Sequence, residues 1–492
     1  MSRGTVTPSL ARTVITGAGL LAVAGGIGRL FSLISSPILT RVLGPSPYGV
    51  VALLGTVTSF ATTAALLGVD LSYSRYFLAA DPERAYAVER FCWRFAAGAA
   101  IAAATAAAAA WSLGVNGGLS ESLAVMVALG TFLPAMNVMA TTRQRLLGSY
   151  GRIAVSIVVS GGVGVALSIL LALVWRPDAW AILVGTTAGL AAGTVVAGLP
   201  SLRLFAKGSG LPVAHRWEIL RLGLTGVVTA PMFWVMNSAD RWIIGGWLGQ
   251  ETLGVYAFSI NVGQMGAMLN NAITLAWFPE MLKAYEGSRD EATDAIGRMW
   301  TRLAIGLLVV WLAVTAAGGD LIRLLASPRF HEGRAYVPWM AGGIFFYGLS
   351  GLATTGHAIR MDLRPVAFWW IVAAAANVVL NVLLVRPLGA VGGAVAACAS
   401  FALLAAGAMA SSQKRFRLPI PWSRLVAMGM FAVVVGAGMA PSWAGSPLLS
   451  LAMKLPVGVL SAVILFRMVA PDWVERVWRI FVSLGKGGEE AP

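Results

Sequence analysis

Arg29 stands in the middle of a long apolar run, and Ser32, Ser36 and Thr40 follow it at i+3, i+7 and i+11. At helical spacing these four side chains share one face. A guanidinium grips phosphate oxygens bidentately, so the stripe is a candidate anion contact flanked by hydroxyls. The alternative is a structural arginine satisfied by backbone carbonyls or a carboxylate. Pro37 is placed to kink the same run. A second stripe repeats every four residues through Thr225, Thr229, Phe233, Asn237 and Arg241, with Pro231 as its candidate kink and Asp240 beside it. Sequence neighbours point about 100° apart on a helix, so Asp240 and Arg241 need not pair with each other. This stripe is either a ligand-facing surface or an ion-paired brace.

Two further polar sets complete the inventory. Thr56, Ser59 and Thr63 lie at i, i+3 and i+7, followed by Asp70 and Arg75; Asn261, Gln264 and Asn271 lie at i, i+3 and i+10. Hydroxyls and amides suit recognition of sugars, and they serve equally well as hydrogen bonds between apolar helices. Asn377 and Asn381, one turn apart, read as such interhelical glue. Lys454 lies just inside the end of the last apolar run and is expected to snorkel to the interface. Asp81, Glu83, Glu89 and the acidic residues of 286–294 read as solvated loop positions.

No pattern of covalent catalysis accompanies these residues. The sequence has no Walker A loop, no HExxH and no serine nucleophile elbow. Two cysteines, Cys92 and Cys398, lie far apart, and the three histidines, His215, His331 and His357, are scattered. Neither a disulfide framework, a metal centre nor a cofactor is expected. An enzyme remains conceivable only through the loop at 323–335, which holds Arg323, Arg329, His331, Glu332 and Arg334 but is too short for a domain.

The elements that must position these side chains follow from composition. The 492 residues are 58% hydrophobic and only 12% charged. Soluble chains carry roughly 25% charged residues, so neither an ordinary soluble enzyme nor a disordered chain fits. A membrane-spanning helix takes about 20 residues. Runs of that length recur at 14–39, 48–69, 95–113, 122–142, 153–174, 179–199, 222–245, 253–275, 303–322, 336–358, 366–385, 388–410, 424–440 and 447–468. The expectation is an all-α polytopic membrane protein of about fourteen helices. The first run is expected to be retained, since it continues through Arg29 without a clear small-residue cleavage site. With the N-terminus inside, most of the 36 Lys and Arg fall on the inner side, against Arg41, Arg176, Arg323, Arg329, Arg334 and Arg386 outside. That asymmetry predicts cytoplasmic N- and C-termini and accounts for the net charge of +15 without nucleic acid.

An internal repeat refines the architecture. Leu43-Gly44 to Gly49-Val50 matches Leu248-Gly249 to Gly254-Val255 as LG-x4-GV. Both copies fall in turns on the same expected side, six helices apart. This predicts two six-helix bundles related by a pseudo-twofold along the membrane normal, at 1–202 and 203–415. Residues 416–492 would add two helices and a short cytoplasmic tail, packed peripherally.

Several segments carry a family likeness. "LTRVLGPSPYGVVALLGTV", "NSADRWIIGGWLGQETLGVYAFS", "WFPEMLKAYEG" and "NVVLNVLLVRPLGAVGGAVAA", in this order, resemble the oligosaccharide (Wzx-type) flippases of the multidrug/oligosaccharidyl-lipid/polysaccharide exporter superfamily. The resemblance runs over about 14–415 and is weakest at helices 3–6. It implies a two-bundle, alternating-access flippase of the bacterial inner membrane that moves a polyprenyl-diphosphate-linked oligosaccharide for surface polysaccharide synthesis. The implied partners are that lipid-linked substrate, membrane lipids and, beside them, glycan polymerase and glycosyltransferases. Helices 1, 2, 7 and 8 line the cleft in that family. The resemblance therefore implies substrate contacts at Arg29, Arg75, Arg241, Ser32, Ser36, Thr63, Asn237, Asn261, Gln264 and Asn271, with Asp70 and Asp240 as gating or ion-pair residues. A multidrug antiporter of the same superfamily is the alternative, and a membrane glycosyltransferase or ligase is a more remote one.

Overall fold

Hydrocarbon offers backbone amides and carbonyls no partners, so apolar runs of this length must close their hydrogen bonds internally. The computed structural model describes residues 8–79, 81–115, 117–200, 211–226, 229–287 and 289–468. Among the described residues the regular elements are all helical, with no strand. Among the described residues eleven segments are long and apolar enough to cross a membrane. The chain is a multi-pass membrane protein.

The helices group into two compact units. The first comprises Met1–Trp234 together with Gly249–Gly254, and the second comprises Val235–Leu248 together with Val255–Pro492. The first unit contains α1 (Pro8–Leu43), α2 (Pro45–Leu66), α3 (Val69–Leu78), α4 (Pro82–Ser112), α5 (Ala124–Leu146), α6 (Tyr150–Val174), α7 (Ala179–Ala197) and α8 (Val213–Gly226). Its core is built on Tyr73, Trp93, Cys92, Ala96 and Met139, all fully buried. Helices α6 and α7 pack backbone to backbone, where Gly185 meets the backbone of Ser168, Gly189 meets Gly164, and Gly193 meets the carbonyl of Ser156. Lipid gives such a pair no hydrophobic drive, so small residues that let backbones touch supply the attraction. Ser156 adds a 2.6 Å hydrogen bond to the carbonyl of Gly193.

Helix α4 starts earlier than the apolar run at 95 implies. Asp81 precedes Pro82, and proline is favoured in the first turn because its missing N–H would be unpaired there anyway. The extension turns an expected loop residue into a core one. Glu89 is 7% exposed and accepts from Arg143 Nε at 2.6 Å. Its expected place in solvent is thereby corrected: a carboxylate two turns inside a helix is buried with a partner, as the cost of an unpaired buried charge demands.

The second unit contains most of α9 (Ala230–Gly263), then α10 (Ala267–Gly287), α11 (Arg289–Leu325), α12 (Val337–Ala353), α13 (Thr355–Ile359), α14 (Arg364–Leu388), α15 (Ala390–Arg415), α16 (Trp422–Met439) and α17 (Pro447–Arg467). Helix α9 is two helical stretches that meet at Gly249, whose φ of 87° and ψ of 171° no helix contains. The expected run at 253–275 is not one straight helix, because a 3-10 turn at Gln264–Gly266 separates α9 from α10. Trp277, Trp300 and Met281 centre the inner core, and the Trp300 indole donates to the carbonyl of Leu352 at 3.0 Å.

Helices α16 and α17 pack on α11. Lys454 does not snorkel. It is 2% exposed and donates to Asp320 Oδ2 at 2.6 Å and to the carbonyl of Ala316 at 2.9 Å. Ser442 and Ser450 donate to the same carboxylate, at 2.6 and 2.7 Å. With its partner this close, the ammonium is satisfied inside the bundle.

Candidate functional site

Helix α1 has three distinguishable faces. Ala24, Ser35 and Leu39 are buried on one, and there Gly28 and Phe31 approach Gly161 of α6. Val23, Leu30, Ile34 and Ile38 are exposed apolar residues on one flank. Arg29 and Ser32 are exposed and Ser36 is half-buried on the opposite flank. An exposed apolar flank suits lipid, whereas the polar flank needs water, a partner or a ligand. Among the described residues Arg29 has no ion-pair partner.

The hydroxyls around Arg29 are already committed as donors. Ser36 donates to the carbonyl of Ser32 at 2.7 Å, Thr40 to that of Ser36 at 2.7 Å, and Ser32 to that of Gly28 at 3.4 Å. Their oxygens retain acceptor capacity, so they can receive protons from sugar hydroxyls. Arg29 alone on this flank offers a cationic donor. On α2, Thr63 is exposed and donates to Ser59 at 2.9 Å in the same manner, while Thr62 donates across to the carbonyl of Thr131 on α5 at 3.2 Å.

Helix α2 ends in left-handed backbone at Leu67 and Gly68, and the chain restarts as α3. Ser72 of α3 donates to the carbonyl of Ile219 on α8 at 2.7 Å. Asp70, half-buried, sits in the first turn of α3, where the helix dipole favours a carboxylate. Arg75 is exposed one turn later, and the two side chains form no ion pair.

In the second unit the structure separates the two neighbours on α9. Asp240, 5% exposed, accepts from Tyr256 Oη at 2.6 Å and from the backbone N–H of Arg241 at 2.8 Å. Arg241 is half-buried, forms no ion pair with Asp240, and its Nε is buried without a hydrogen-bond partner. Asp240 is thus the locked residue of the two. Asn237 is half-buried on the same helix, Asn261 is exposed, and Gln264 lies in the 3-10 turn. The side chain of Asn271 lies outside the described residues, as does that of Thr225. Asn377 and Asn381 are fully buried but bond to each other along α14, at 2.9 Å to the carbonyl and 3.2 Å to the side chain, so they do not glue two helices.

Three features escaped the sequence pattern. Tyr256 holds Asp240 from 16 residues away. Trp234 donates to the carbonyl of Thr56 at 2.8 Å and packs on Phe60 at 4.9 Å between ring centres. An apolar cavity of about 620 Å³ in the second unit is lined by Trp300, Trp311, Trp339, Phe345, Trp422 and Val433 among others. The first spans the break at Gly249 within α9 and the other two join separate helices, whereas periodicity reads one unbroken helix at a time. Among the described residues no group of three or more His, Cys, Asp or Glu gathers as a metal site.

Two compact units of long apolar helices, with Arg29 on a polar flank of α1, define a multi-pass helical membrane protein. The chain matches the solved lipid II flippase MurJ in an inward closed conformation with a TM-score of 0.72 at 11% identity, over 92% of this chain and 99% of that one. It also matches an inward-facing multidrug resistance MATE family transporter of the MOP superfamily, with a TM-score of 0.56 at 14% identity over 79% and 94%. The Vibrio cholerae MATE transporter VcmN, in a mutant form, gives 0.54 at 12% identity over 83% and 97%. No curated protein matches the sequence. Residues 38–333 match the model of the polysaccharide biosynthesis protein family, and the chain belongs to that family.

Proposed function

We propose that the protein translocates a polyprenyl-diphosphate-linked oligosaccharide across the bacterial cytoplasmic membrane, for cell-surface polysaccharide synthesis. The observation that carries this reading is Arg29, an exposed arginine without an ion-pair partner midway along α1, on a flank separate from the apolar one. A diphosphate needs cationic donors, and Arg29 offers a bidentate fork. A glycan presents many hydroxyl donors, and the oxygens of Ser32, Ser36 and Thr63 retain acceptor capacity. Arg75 and Arg241 are further candidate phosphate contacts, with Asn237, Asn261, Gln264 and Asn271 toward the sugar. Asp240 and Asp70 act as bracing or gating carboxylates.

In the proposed cycle, helices 1–6 and 7–12 form two bundles related by a pseudo-twofold along the membrane normal, at 1–202 and 203–415. Rocking of one against the other exposes the site alternately to the two sides while the polyprenyl tail stays in lipid. Both termini are cytoplasmic, and 416–492 adds two peripheral helices and a tail. Glycosyltransferases would supply the substrate inside and a polymerase would consume it outside. The multidrug reading draws support from the shared MATE fold. Against it, the candidate charges Arg29, Arg75 and Arg241 have the wrong sign for cationic drugs.

The test replaces Arg29 by Ala and by Lys and measures surface glycan at matched membrane abundance. A hydrogen bond to a charged group contributes about 1.5–3 kcal/mol, which corresponds to roughly tenfold or more in affinity. Arg29→Ala should lose most export. Arg29→Lys, which keeps the charge without the fork, should lose less. Wild-type export by normally inserted Arg29→Ala would reject the assignment, and cation efflux without glycan export would favour the multidrug reading.

A further inference from the structure

The apolar cavity of the second unit is a groove laid along α16. Trp422, Val426, Gly429, Val433, Gly436 and the C-cap Ala440 line it at i, i+4, i+7, i+11, i+14 and i+18, one face of a helix. From Trp422 to Ala440 the helix rises about 27 Å, close to the roughly 30 Å of a bilayer's hydrocarbon core. Trp339 stands at the Ala440 end and Trp422 at the other, both exposed, at the two depths that tryptophan favours in a membrane. Trp311 of α11 forms the floor: its indole donates to the carbonyl of Pro338 at 3.2 Å, and a Cβ on Gly436 would meet its ring at 3.0 Å. Val426 and Val433 are exposed, so the groove is open along α16.

Two polar features break this apolar wall, both toward the Ala440 end. Among the described residues Thr315 of α11 carries the only hydroxyl that lines the groove. It is 2% exposed, and its Oγ1 is buried without a hydrogen-bond partner. A buried hydroxyl left unpaired is costly, which points to an acceptor brought by a ligand. One turn further along α11, a Cβ on Gly319 would stand 3.3 Å from the carbonyl oxygen of Ala440 and 3.6 Å from Arg334 Cβ. Arg334 is therefore at the mouth of the groove. It is exposed and forms no ion pair among the described residues, while Glu332 beside it accepts from Tyr336 Oη at 3.2 Å. The neighbouring cation, Arg323, is already held by Asp320 at 3.7 Å and by the carbonyls of Ala444 and Gly445. From the mouth inward the order is thus a free guanidinium, a hydroxyl donor about 6 Å deeper along α11, and an apolar groove. An anionic phospholipid carries its groups in the same order: phosphate, ester carbonyl, acyl chain.

We infer that the groove is a binding site for a resident anionic phospholipid, with its phosphate on Arg334, an ester carbonyl accepting from Thr315, and one acyl chain along α16. The chain reaches from Ala440 to Gly429, about 16 Å, which is the depth of one leaflet of a core about 30 Å thick. A Cβ on Gly429 meets nothing, so the space at the chain's end is open. A polyprenyl phosphate has no ester, so the unpaired Thr315 hydroxyl selects a glycerolipid. Every lining residue belongs to the second compact unit, and the lipid is a fixed component of that unit, filling the gap between α16, α11 and α12.

The test uses dioleoyl phosphatidylglycerol carrying a photoreactive diazirine midway along one acyl chain. The full chain is placed in phosphatidylcholine nanodiscs with increasing amounts of this probe, irradiated, and its labelled peptides are mapped by mass spectrometry. Saturable labelling of 429–440 is expected, and unlabelled dioleoyl phosphatidylglycerol should compete it away. Arg334→Gln should raise the probe content needed for half-maximal labelling by roughly tenfold or more, the scale of a hydrogen bond to a charged group. Thr315→Val, which keeps the shape and removes the hydroxyl, should raise it severalfold. Gly429→Phe fills the end of the groove, so it should weaken competition by the dioleoyl lipid and spare that by the short-chain dilauroyl lipid. Gly438→Phe, on the opposite face of α16 where a Cβ also meets nothing, should change neither. Labelling of 429–440 that does not saturate, or that is the same in wild type and Arg334→Gln, would overturn the site. So would equal competition by both chain lengths in Gly429→Phe. Competition by polyprenyl phosphate as strong as that by phosphatidylglycerol, with Thr315→Val silent, would overturn the phospholipid assignment in favour of an isoprenoid chain.

Discussion

Single residues divide into those whose role is written in their own segment and those that depend on a distant partner. Arg29 belongs to the first kind: one charge in an apolar run is conspicuous, and its flank follows from helical spacing. Lys454 belongs to the second. Its carboxylate partner is 134 positions away on α11, so the sequence around Lys454 gives no hint of it. Asp240 is intermediate, because its isolation from the Arg241 side chain follows from helix geometry while its bond to Tyr256 does not. The Lys454–Asp320 pair makes a sharp prediction. Lys454→Met removes the 2.6 Å ammonium and leaves the buried Asp320 carboxylate with the Arg323 guanidinium at 3.7 Å and two serine hydroxyls, a loss of up to about 3–5 kcal/mol. The thermal unfolding midpoint in detergent and the membrane abundance should both fall. Adding Asp320→Asn removes the under-compensated charge, and its single amide oxygen still accepts from one of the two serines, so the double variant should recover part of the loss. A double variant no more stable than Lys454→Met would show that the pair does not act as an electrostatic unit.

At the scale of elements, the existence of helices was legible and their ends were not. Long apolar runs must be helical in lipid, whereas ends are set by residues that hydropathy averages away, such as Pro82 at the start of α4 and the 3-10 turn at Gln264. Helix contacts were equally hidden, since Gly185, Gly189 and Gly193 on α7 announce a close approach without naming α6 as the partner. Gly189→Ala should test that approach. Its Cβ would meet the carbonyl of Ser160 and the backbone of Gly164, and overpacking costs roughly 1–3 kcal/mol. Gly98→Ala on α4, where a Cβ meets nothing, should be neutral or slightly stabilising, as alanine is the better helix former by about 1 kcal/mol. Unfolding midpoints of the two variants decide the matter. The link between α13 and α14 offers a pH test. Arg415 donates to Asp362 at 2.6 Å and holds its carboxyl below the usual carboxylate range. A depressed pKa stabilises the fold fully above the ordinary carboxylate value of about 4, and that contribution is lost as pH falls through the lower folded value. The protection factors of amides 359–364, each corrected for the intrinsic exchange rate at the same pH, should therefore be lower at acid pH than at neutral. Asp362→Asn should show the lower protection already at neutral pH and flatten its pH dependence.

For the whole molecule, hydropathy and the family motifs pointed to the multi-pass fold, because a bilayer admits few ways to satisfy a backbone. The substrate is a different matter. MurJ, a lipid II flippase, and a multidrug resistance MATE family transporter share this fold at 11% and 14% identity. What distinguishes them must lie in the sign and placement of a few polar side chains, which hydropathy does not read. Orientation is the global property on which the functional proposal leans, since it decides which end of Arg29's flank receives substrate. The physical argument for it is the concentration of Lys and Arg in alternate loops, which resists translocation. Single cysteines in a Cys92→Ala/Cys398→Ala background make it testable in intact cells with a membrane-impermeant maleimide. Val115→Cys, in the loop after α4, and Arg176→Cys, between α6 and α7, should be labelled from outside. Ser149→Cys, between α5 and α6, and Lys414→Cys, at the end of α15, should be labelled only after the membrane is opened. Labelling of Ser149→Cys or Lys414→Cys in intact cells would invert the orientation.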